Sequence, residues 1–455
     1  MYLPPSPAGI DAWTELGNTN WKWETLEPYL QKSVSVSTPA GEICRAAGVE
    51  VEGFGEKGPI QVTYPVLREE KNHPLLRAWG EAFQGEGYEF TRELLAEKRS
   101  VGTRAYAATV DARSGLRSGA DGGYGVEAAR RDNVTIVTGA RVRRILFEED
   151  SDIVVATGVE VALSDGEVVT VKATKEVILA AGVFHTPQLL ELSGIGDRRV
   201  LSGLGIPVVI ENPGVGRNLQ NHHMSILPCP LKKVPELEDV APGIKALAFV
   251  RLDGEVQADL AGQFLPGEQG LDKAIRGILE NPNEASALIF LGLMPGASVA
   301  ILVMIPCFPA SRGNIHITSA DPYTPPKIDA CFFSHPLDVE LMARHVQKLQ
   351  QIPALPELQH FFQPPAAPTD LETTKASLHE SAQIAHHACG AAAMLPREAG
   401  GVVDQELVVY GTKNLRVVDA SVFPLIPHGN PVATVYAVAE MAADIIKGKT
   451  LNTTV

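Results

Sequence analysis

AHHACGAAAMLPREAGGVVDQELVVYGTKNLRVVDASVFPLIPHGNPVATVYAVAEMAADIIKG, Ala385 to Gly448, is the stretch that decides the reading of this chain. It divides into three parts. A polar pair, His386 and His387, precedes a run of small residues, CGAAAM. An apolar segment of strand character, Leu415 to Val418, ends in Asp419. PHGNP then leads into an apolar helical pattern from Val432 to Ile446. A strand, a polar loop and a helix in succession put the loop residues at a sheet edge and a helix N-terminus. Free backbone N–H groups there hold phosphates or carbonyl oxygens.

Upstream, KEVILAA, Lys175 to Ala181, reads as a buried strand ending at Gly182. A helix is predicted from Thr186 to Leu192, with Thr186 as its cap and Pro187 at its first position. This strand–turn–helix argues for a doubly wound α/β domain. Between Asn133 and Phe147, VTIVTG and ARVRRILF alternate as strands do, and Val154 to Val171 reads as a hairpin turning at Ser164-Asp165-Gly166. Leu75, Leu76, Trp79 and Phe83 recur at helical spacing within the segment from Pro65 to Leu95. The first 33 residues read as loop and then helix, with Trp13, Trp21 and Trp23 flanking a turn at Gly17-Asn18.

After Gly216 the pattern changes. Residues 224–300 mix Gly, Pro and short apolar pieces. Strands are predicted at Ile301 to Phe308 and Asn314 to Thr318, a helix from His335 to Gln351, and a Pro-rich loop from Pro353 to Pro368. The expected fold is therefore α/β. Residues 1–220 and 386–455 form a doubly wound domain, and residues 221–385 form an inserted, mainly antiparallel α+β domain.

At 455 residues the chain exceeds one ordinary compact core. Its net charge of −15 disfavours nucleic acid and anionic membranes as partners. The cysteines at 44, 229, 307, 331 and 389 are scattered and odd in number, which suits neither a zinc site nor a disulfide scaffold. The longest apolar run, Ala297 to Phe308, is too short to span a bilayer and reads as a buried strand. MYLPPSPAG lacks the basic start and apolar core of a secretory signal, and the compartment is left open.

The stretch from Ala385 to Gly448 resembles the C-terminal end of the glucose–methanol–choline (GMC) family of flavoenzymes. GVFHTPQLLELSGIG, Gly182 to Gly196, resembles the family's second signature, with Val183 where a small or hydroxyl residue is usual. SRGNIHITSADPYTPPKID and GVGRNLQNHH are similar to further family blocks, and the likeness runs from about Asp11 to Lys447. The resemblance implies FAD as cofactor and a small-molecule alcohol as substrate. It implies that His387, three residues before Gly390, is the proton-abstracting histidine and that Asn430 assists at the substrate oxygen. Asp419, Ala420, Pro431 and Val432 would lie along the flavin, and the backbone of Val142 would meet the adenine. Ala391 replaces the threonine that usually follows the glycine, which puts one flavin or backbone contact in doubt.

Each residue also has a plainer reading. His387 alone could be a buried histidine bonded to backbone. Asn430 and Pro431 could cap the helix that starts at Val432. Asp419 and Val142 could be a strand end and a strand surface. His428 is at most a pocket wall, His386 structural, and His185, His222 and His223 lack the spacing of a metal site.

A dinucleotide-binding chain normally opens with a strand, a glycine turn and a helix. Nothing before Asp11 supplies this, and GADGGYG, Gly119 to Gly125, follows a polar loop rather than an apolar strand. An open gap is therefore expected beside the parallel strands, with Val177, Leu179, Leu415 and Val417 partly exposed. The expected activity is FAD-dependent alcohol oxidation, with secondary metabolism as one setting. Two other classes stay open: a non-redox lyase or cyclase on the same fold, and a flavin-free homologue.

Overall fold

The computed structural model describes residues 1–47, 55–68, 73–90, 99–150, 153–296 and 298–448. The strands that matter below are β1 (Gly102–Arg104), β2 (Arg141–Asp150), β3 (Ile153–Ala162), β4 (Val168–Lys172), β5 (Val177–Leu179) and β6 (His223–Pro230). They continue with β7 (Gly243–Val250), β8 (Ala287–Leu293), β9 (Val299–Pro306), β10 (Gln383–Ile384) and β11 (Leu415–Val417). The helices used below are α1 (Pro7–Glu15), α2 (Trp23–Ser33), α3 (Gly182–Leu192), α4 (Pro336–Gln351) and α5 (Val432–Ile446).

The chain is a mixed helix-and-sheet fold whose sheets are mainly antiparallel. The largest sheet has the order β10-β6-β9-β8-β7-β1, with every neighbouring pair antiparallel. Its central strands, GIKALAFV, ALIFLGL and VAILVMIP, are apolar at almost every position because both faces are covered. Helix α4 covers part of one face with Leu337, Leu341, Met342 and Leu349. Its N-terminus is capped by His335, whose ring accepts from the Leu337 N–H.

The doubly wound element is the parallel pair β5–β11, in register Val177↔Leu415 to Leu179↔Val417. Each strand leads into a helix, β5 into α3 and, through PHGNP, β11 into α5. The Asn414 side chain holds this pair to β3, accepting from the Ala156 N–H at 2.8 Å and donating to the Ala156 carbonyl at 2.9 Å.

The N-terminal helices staple the C-terminal stretch. Helix α2 packs along α5. Trp13 and Trp21 are fully buried and donate their indole N–H groups to the Leu425 and Gln405 carbonyls at 3.1 and 2.8 Å. Asn18 donates to the Met394 carbonyl at 2.8 Å. A buried indole wants such a partner, and here that need ties chain segments nearly 400 residues apart.

Several expectations are corrected. Parallel pairing in the doubly wound region comes only in short two-stranded pieces, Val177–Leu179 with Leu415–Val417, Val34–Val36 with Ile60–Val62 and Ile195–Gly196 with Ile210–Glu211 among the described residues, while β2, β3 and β4 form an antiparallel meander. VTIVTG is not a strand, and it is largely exposed. Helix α3 begins at Gly182, four residues early, and has no side-chain cap. The Thr186 hydroxyl instead donates to Asp419. Residues 224–300 are more regular than expected and hold three strands of the large sheet and two helices. The helix pattern after Pro65 resolves into a 3-10 turn, Pro65–Arg68, and a helix, His73–Gly85, whose buried face carries Leu75, Leu76, Trp79 and Phe83. The last part of that pattern, residues 91–95, lies outside the described residues.

Val177, Leu179, Leu415 and Val417 are buried, against expectation. They alternate inward along their strands, so the outward Ile178 carries the exposure at 44%. A cleft of about 730 Å³ does open beside β5, lined by Val142, Ile178, Ala180, Ala181 and His185 among others. GADGGYG is a π-helical turn, Asp121–Gly125, running into a short helix at Val126–Ala129. A GxGxxG spelling also occurs at 53–58. Its Gly55 and Gly58 precede a strand at Ile60–Val62, and a Cβ on Gly58 would meet Val34 backbone at 2.0 Å. Those glycines serve close backbone packing.

Candidate active site

His387 reaches its position through a distortion in the edge of the large sheet. Gln220 pairs with Cys389 in both directions at 2.9 Å, and His223 pairs with Ile384. Two residues, 221 and 222, therefore face four, 385–388. The extra residues bulge outward, and His386 takes a left-handed φ of +60° to let them turn. Bulges of this kind re-aim side chains beside functional sites. The His387 N–H, displaced from the ladder, is satisfied by the Asn221 side-chain oxygen at 2.8 Å. Just beyond the bulge, Gly390 holds φ +86°. A Cβ there would lie 2.6 Å from the Asn218 carbonyl oxygen and 2.7 Å from Gln220 Nε2.

Asn430 arrives on the loop between β11 and α5. Gln220 clamps that loop, donating to the Pro424 carbonyl at 3.2 Å and accepting from the Ile426 N–H at 3.0 Å. The result puts Asn430 Nδ2 2.8 Å from His387 Nε2. Helix α5 starts at Val432 with Pro431 as its cap residue and no side-chain cap bond. Asn430 thus does not cap the helix, as its plainer reading held; its amide meets His387 instead. Asn430 Oδ1 and Thr434 Oγ1 are buried without a partner among the described residues.

His387 is only 7% exposed. Its pKa is lowered to about 4, by burial first and then by the Met1 amine and the His386 ring. The ring is neutral at pH 7 and has a lone pair to offer. His222 is fully buried against it, Nδ1 to Nδ1 at 3.0 Å with the rings edge-on, and its Nε2 lies 3.0 Å from the Cys307 carbonyl. Burial, followed by the neighbouring His387, pushes the His222 pKa well below the ordinary value.

The other singled-out residues lie around this centre or beyond it. The Asp419 carboxylate ties β11 to α3, accepting from the Gly182 N–H at 3.0 Å, the Thr186 hydroxyl at 2.5 Å and the Ser421 N–H at 2.8 Å. Ala420 accepts the Gly390 N–H at 3.0 Å, so CGAAAM runs along the Ala420–Val422 turn. Pro431 and Val432 are half-buried at the start of α5. Val142 is apart from them, on β2 at the cleft beside Ala181. His428 is buried against Phe249, ring centroids 4.5 Å apart. His185 lines the cleft, whereas His222 meets His387.

Sequence reasoning missed Gln220, Asn221 and His222 as parts of the site. Their block, NLQNHH, carried polar residues at strand-like spacing, which was the available signal. The strand pairing that turns them toward His387 is long-range.

Comparison with known proteins bears on the whole chain. Models described as GMC oxidoreductase match residues 1–224 and 309–439. A GMC oxidoreductase family protein of Malassezia sympodialis, Mala s 12, is 32% identical over 98% of this chain and 77% of its own length. A dehydrogenase of Monascus purpureus, mpl7, is 31% identical over 98% of this chain and 81% of its own. Among solved structures, an FAD-dependent oxidoreductase from Chaetomium thermophilum superposes with a TM-score of 0.86 at 28% identity, covering 98% of this chain and 84% of that one. A fungal aryl-alcohol oxidase superposes with a TM-score of 0.82 at 26% identity, over 98% and 83%. Near full-length agreement in sequence and in fold makes this chain a member of the GMC oxidoreductase family.

Proposed function

We propose that the protein oxidises a small or aromatic alcohol to the carbonyl with FAD, His387 acting as base and Asn430 holding the alcohol oxygen. The observation that carries this reading is the 2.8 Å approach of Asn430 Nδ2 to the His387 Nε2 of a buried, neutral imidazole. A hydroxyl that enters between the two groups replaces their direct contact, accepting from the asparagine N–H and donating to the lone pair of the imidazole nitrogen. As the O–H bond breaks, the proton passes to His387 Nε2, and the asparagine donor steadies the negative charge growing on oxygen. Bound FAD would supply the acceptor for the hydride that leaves the alcohol carbon.

The residues present fit that cofactor at two ends. Beside the histidine, the uncapped first turn of α5 and the unpartnered Asn430 Oδ1 and Thr434 Oγ1 suit a flat ring bearing carbonyl and N–H groups. There Pro431, Val432 and Ala420 would hold the ring. At the other end, the cleft along Val142, Ala180 and Ala181 suits the adenosine part, with the Asp419–Gly182 link between the two ends. In this reading residues 1–220 with 386–455 hold the cofactor, and residues 221–385 shape the substrate side.

The reading is tested by loading the protein with FAD and mixing it anaerobically with an aryl or short alkyl alcohol. Bleaching of the flavin bands that slows with His387→Ala is expected. Product formed without bleaching favours a lyase or cyclase, and a protein that takes up no FAD overturns the reading.

A further inference from the structure

We infer that His222 is a positioning residue, holding His387 in the one neutral tautomer whose Nε2 is free to take a proton. The inference rests on His387 being the base. It follows from a chain of contacts with one fixed end. The Cys307 backbone carbonyl can only accept, so His222 Nε2, 3.0 Å away, carries the hydrogen. A neutral His222 then has its lone pair on Nδ1. That atom faces His387 Nδ1 at 3.0 Å, and two facing lone pairs would repel, so the hydrogen between them belongs to His387. His387 Nε2 is left bare, which agrees with the approach of the Asn430 amide N–H from the other side.

The fixed end is built into the sheet. Cys307 follows β9, and its N–H donates to the Ser286 carbonyl at 2.9 Å, beside β8. The polarity of the relay is therefore set by the core, and the bulge at 385–388 brings His387 onto it. When His387 Nε2 accepts the alcohol proton, its ring becomes cationic. His222 Nδ1 then accepts a stronger hydrogen bond from His387 Nδ1–H, and charge is shared toward the Cys307 carbonyl. One O–H bond breaks and one N–H bond forms; the pair transfers nothing else. The groups acting on the His222 ring are His223, His428 and the Cys307 carbonyl, and those acting on the His387 ring are His386 and the Met1 amine.

Two buried histidines in contact could equally be filling space, so the test needs readouts that packing alone does not move. The first uses 15N-histidine-labelled wild-type protein without added cofactor. Long-range 1H–15N spectra should show His387 protonated at Nδ1 and His222 at Nε2. His387 protonated at Nε2 at neutral pH overturns the inference.

The second uses the FAD-loaded protein. His222→Phe should lower kcat by about 10–100-fold, the range found when a metal-bound imidazole loses the partner of its other ring nitrogen. KM should hold, because His222 does not touch substrate. The acid limb of the pH–rate profile should move to lower pH, because the His387 cation loses its acceptor. His222→Asn, which keeps an acceptor near the Nδ1 position, should restore most of the rate and the limb. A folded His222→Phe with unchanged kcat and limb overturns the inference while leaving His387 as base. Full turnover by His387→Ala overturns the base itself.

Discussion

Asn430 Nδ2 sits 2.8 Å from His387 Nε2, though 43 residues separate them in the chain. The two also differ in what they do for the fold. The Asn430 side chain makes no cap bond to α5, so its loss should separate catalysis from stability. Asn430→Ala should slow flavin reduction by about 10²-fold, the typical cost of one donor to a developing oxyanion. Chemical denaturation should show a loss of no more than about 1.5 kcal/mol, the worth of one hydrogen bond. A larger loss of stability with an unchanged rate would make the asparagine a structural residue.

His387 and His386 should separate sharply. His387→Ala should slow the reductive step by about 10²–10⁴-fold with flavin still bound. His386 pays for the bulge with a left-handed φ of +60°, which costs a non-glycine residue about 1–2 kcal/mol. His386→Gly should therefore leave the melting temperature unchanged or raise it, and change the rate only a few-fold. If His386→Gly is the slower of the two variants in rapid mixing, the base is His386.

The sequence pointed to residues that the structure brings together better than to how they are brought together. His387 and Asn430, which meet at 2.8 Å, and Asp419 at the end of β11 were singled out by a family resemblance, at set distances from Gly390, from the α5 pattern and from an apolar strand. Their companions were not. Asn221 and His222 depend on a bulged pairing between residues 220–223 and 384–389, segments more than 160 residues apart in the chain. The expected Thr186 cap failed for a related reason. A carboxylate 233 residues away, Asp419, competes for the hydroxyl, and local helix signals cannot register that. The strand reading of VTIVTG rested on alternation alone, and with few buried neighbours the segment stays irregular.

Gly390 is the backbone counterpart of His387. With φ at +86° and a carbonyl oxygen 2.6 Å from where a Cβ would sit, Gly390→Ala must open the Gln220–Cys389 pairing. A cost of about 1–3 kcal/mol is expected from strain at such a position. Activity should fall by more than folding requires, because His387 is carried on the same bulge. A variant with unaltered denaturation and turnover would show that the bulge adapts.

Acid should unfold this protein early. Burial holds His223 and His387 at about 4 and His345 and His428 at about 3, and it holds His222 well below its usual value. In the unfolded chain each returns to roughly 6.5. Below that value the unfolded state binds protons that the folded state refuses. Stability is thus complete above about pH 7 and falls as pH drops from 6.5 toward 4, by up to about 1.4 kcal/mol per pH unit for each group. His223 offers a clean check. Its ring nitrogens have no partner among the described residues, and it packs against Phe332 and Phe333. His223→Leu should flatten the slope of stability against pH by about one proton, with little change at pH 7.5. Urea titrations at pH 7.5, 6.5 and 5.5 measure both slopes, and a wild-type stability that stays level down to pH 5.5 would refute the buried-neutral assignment.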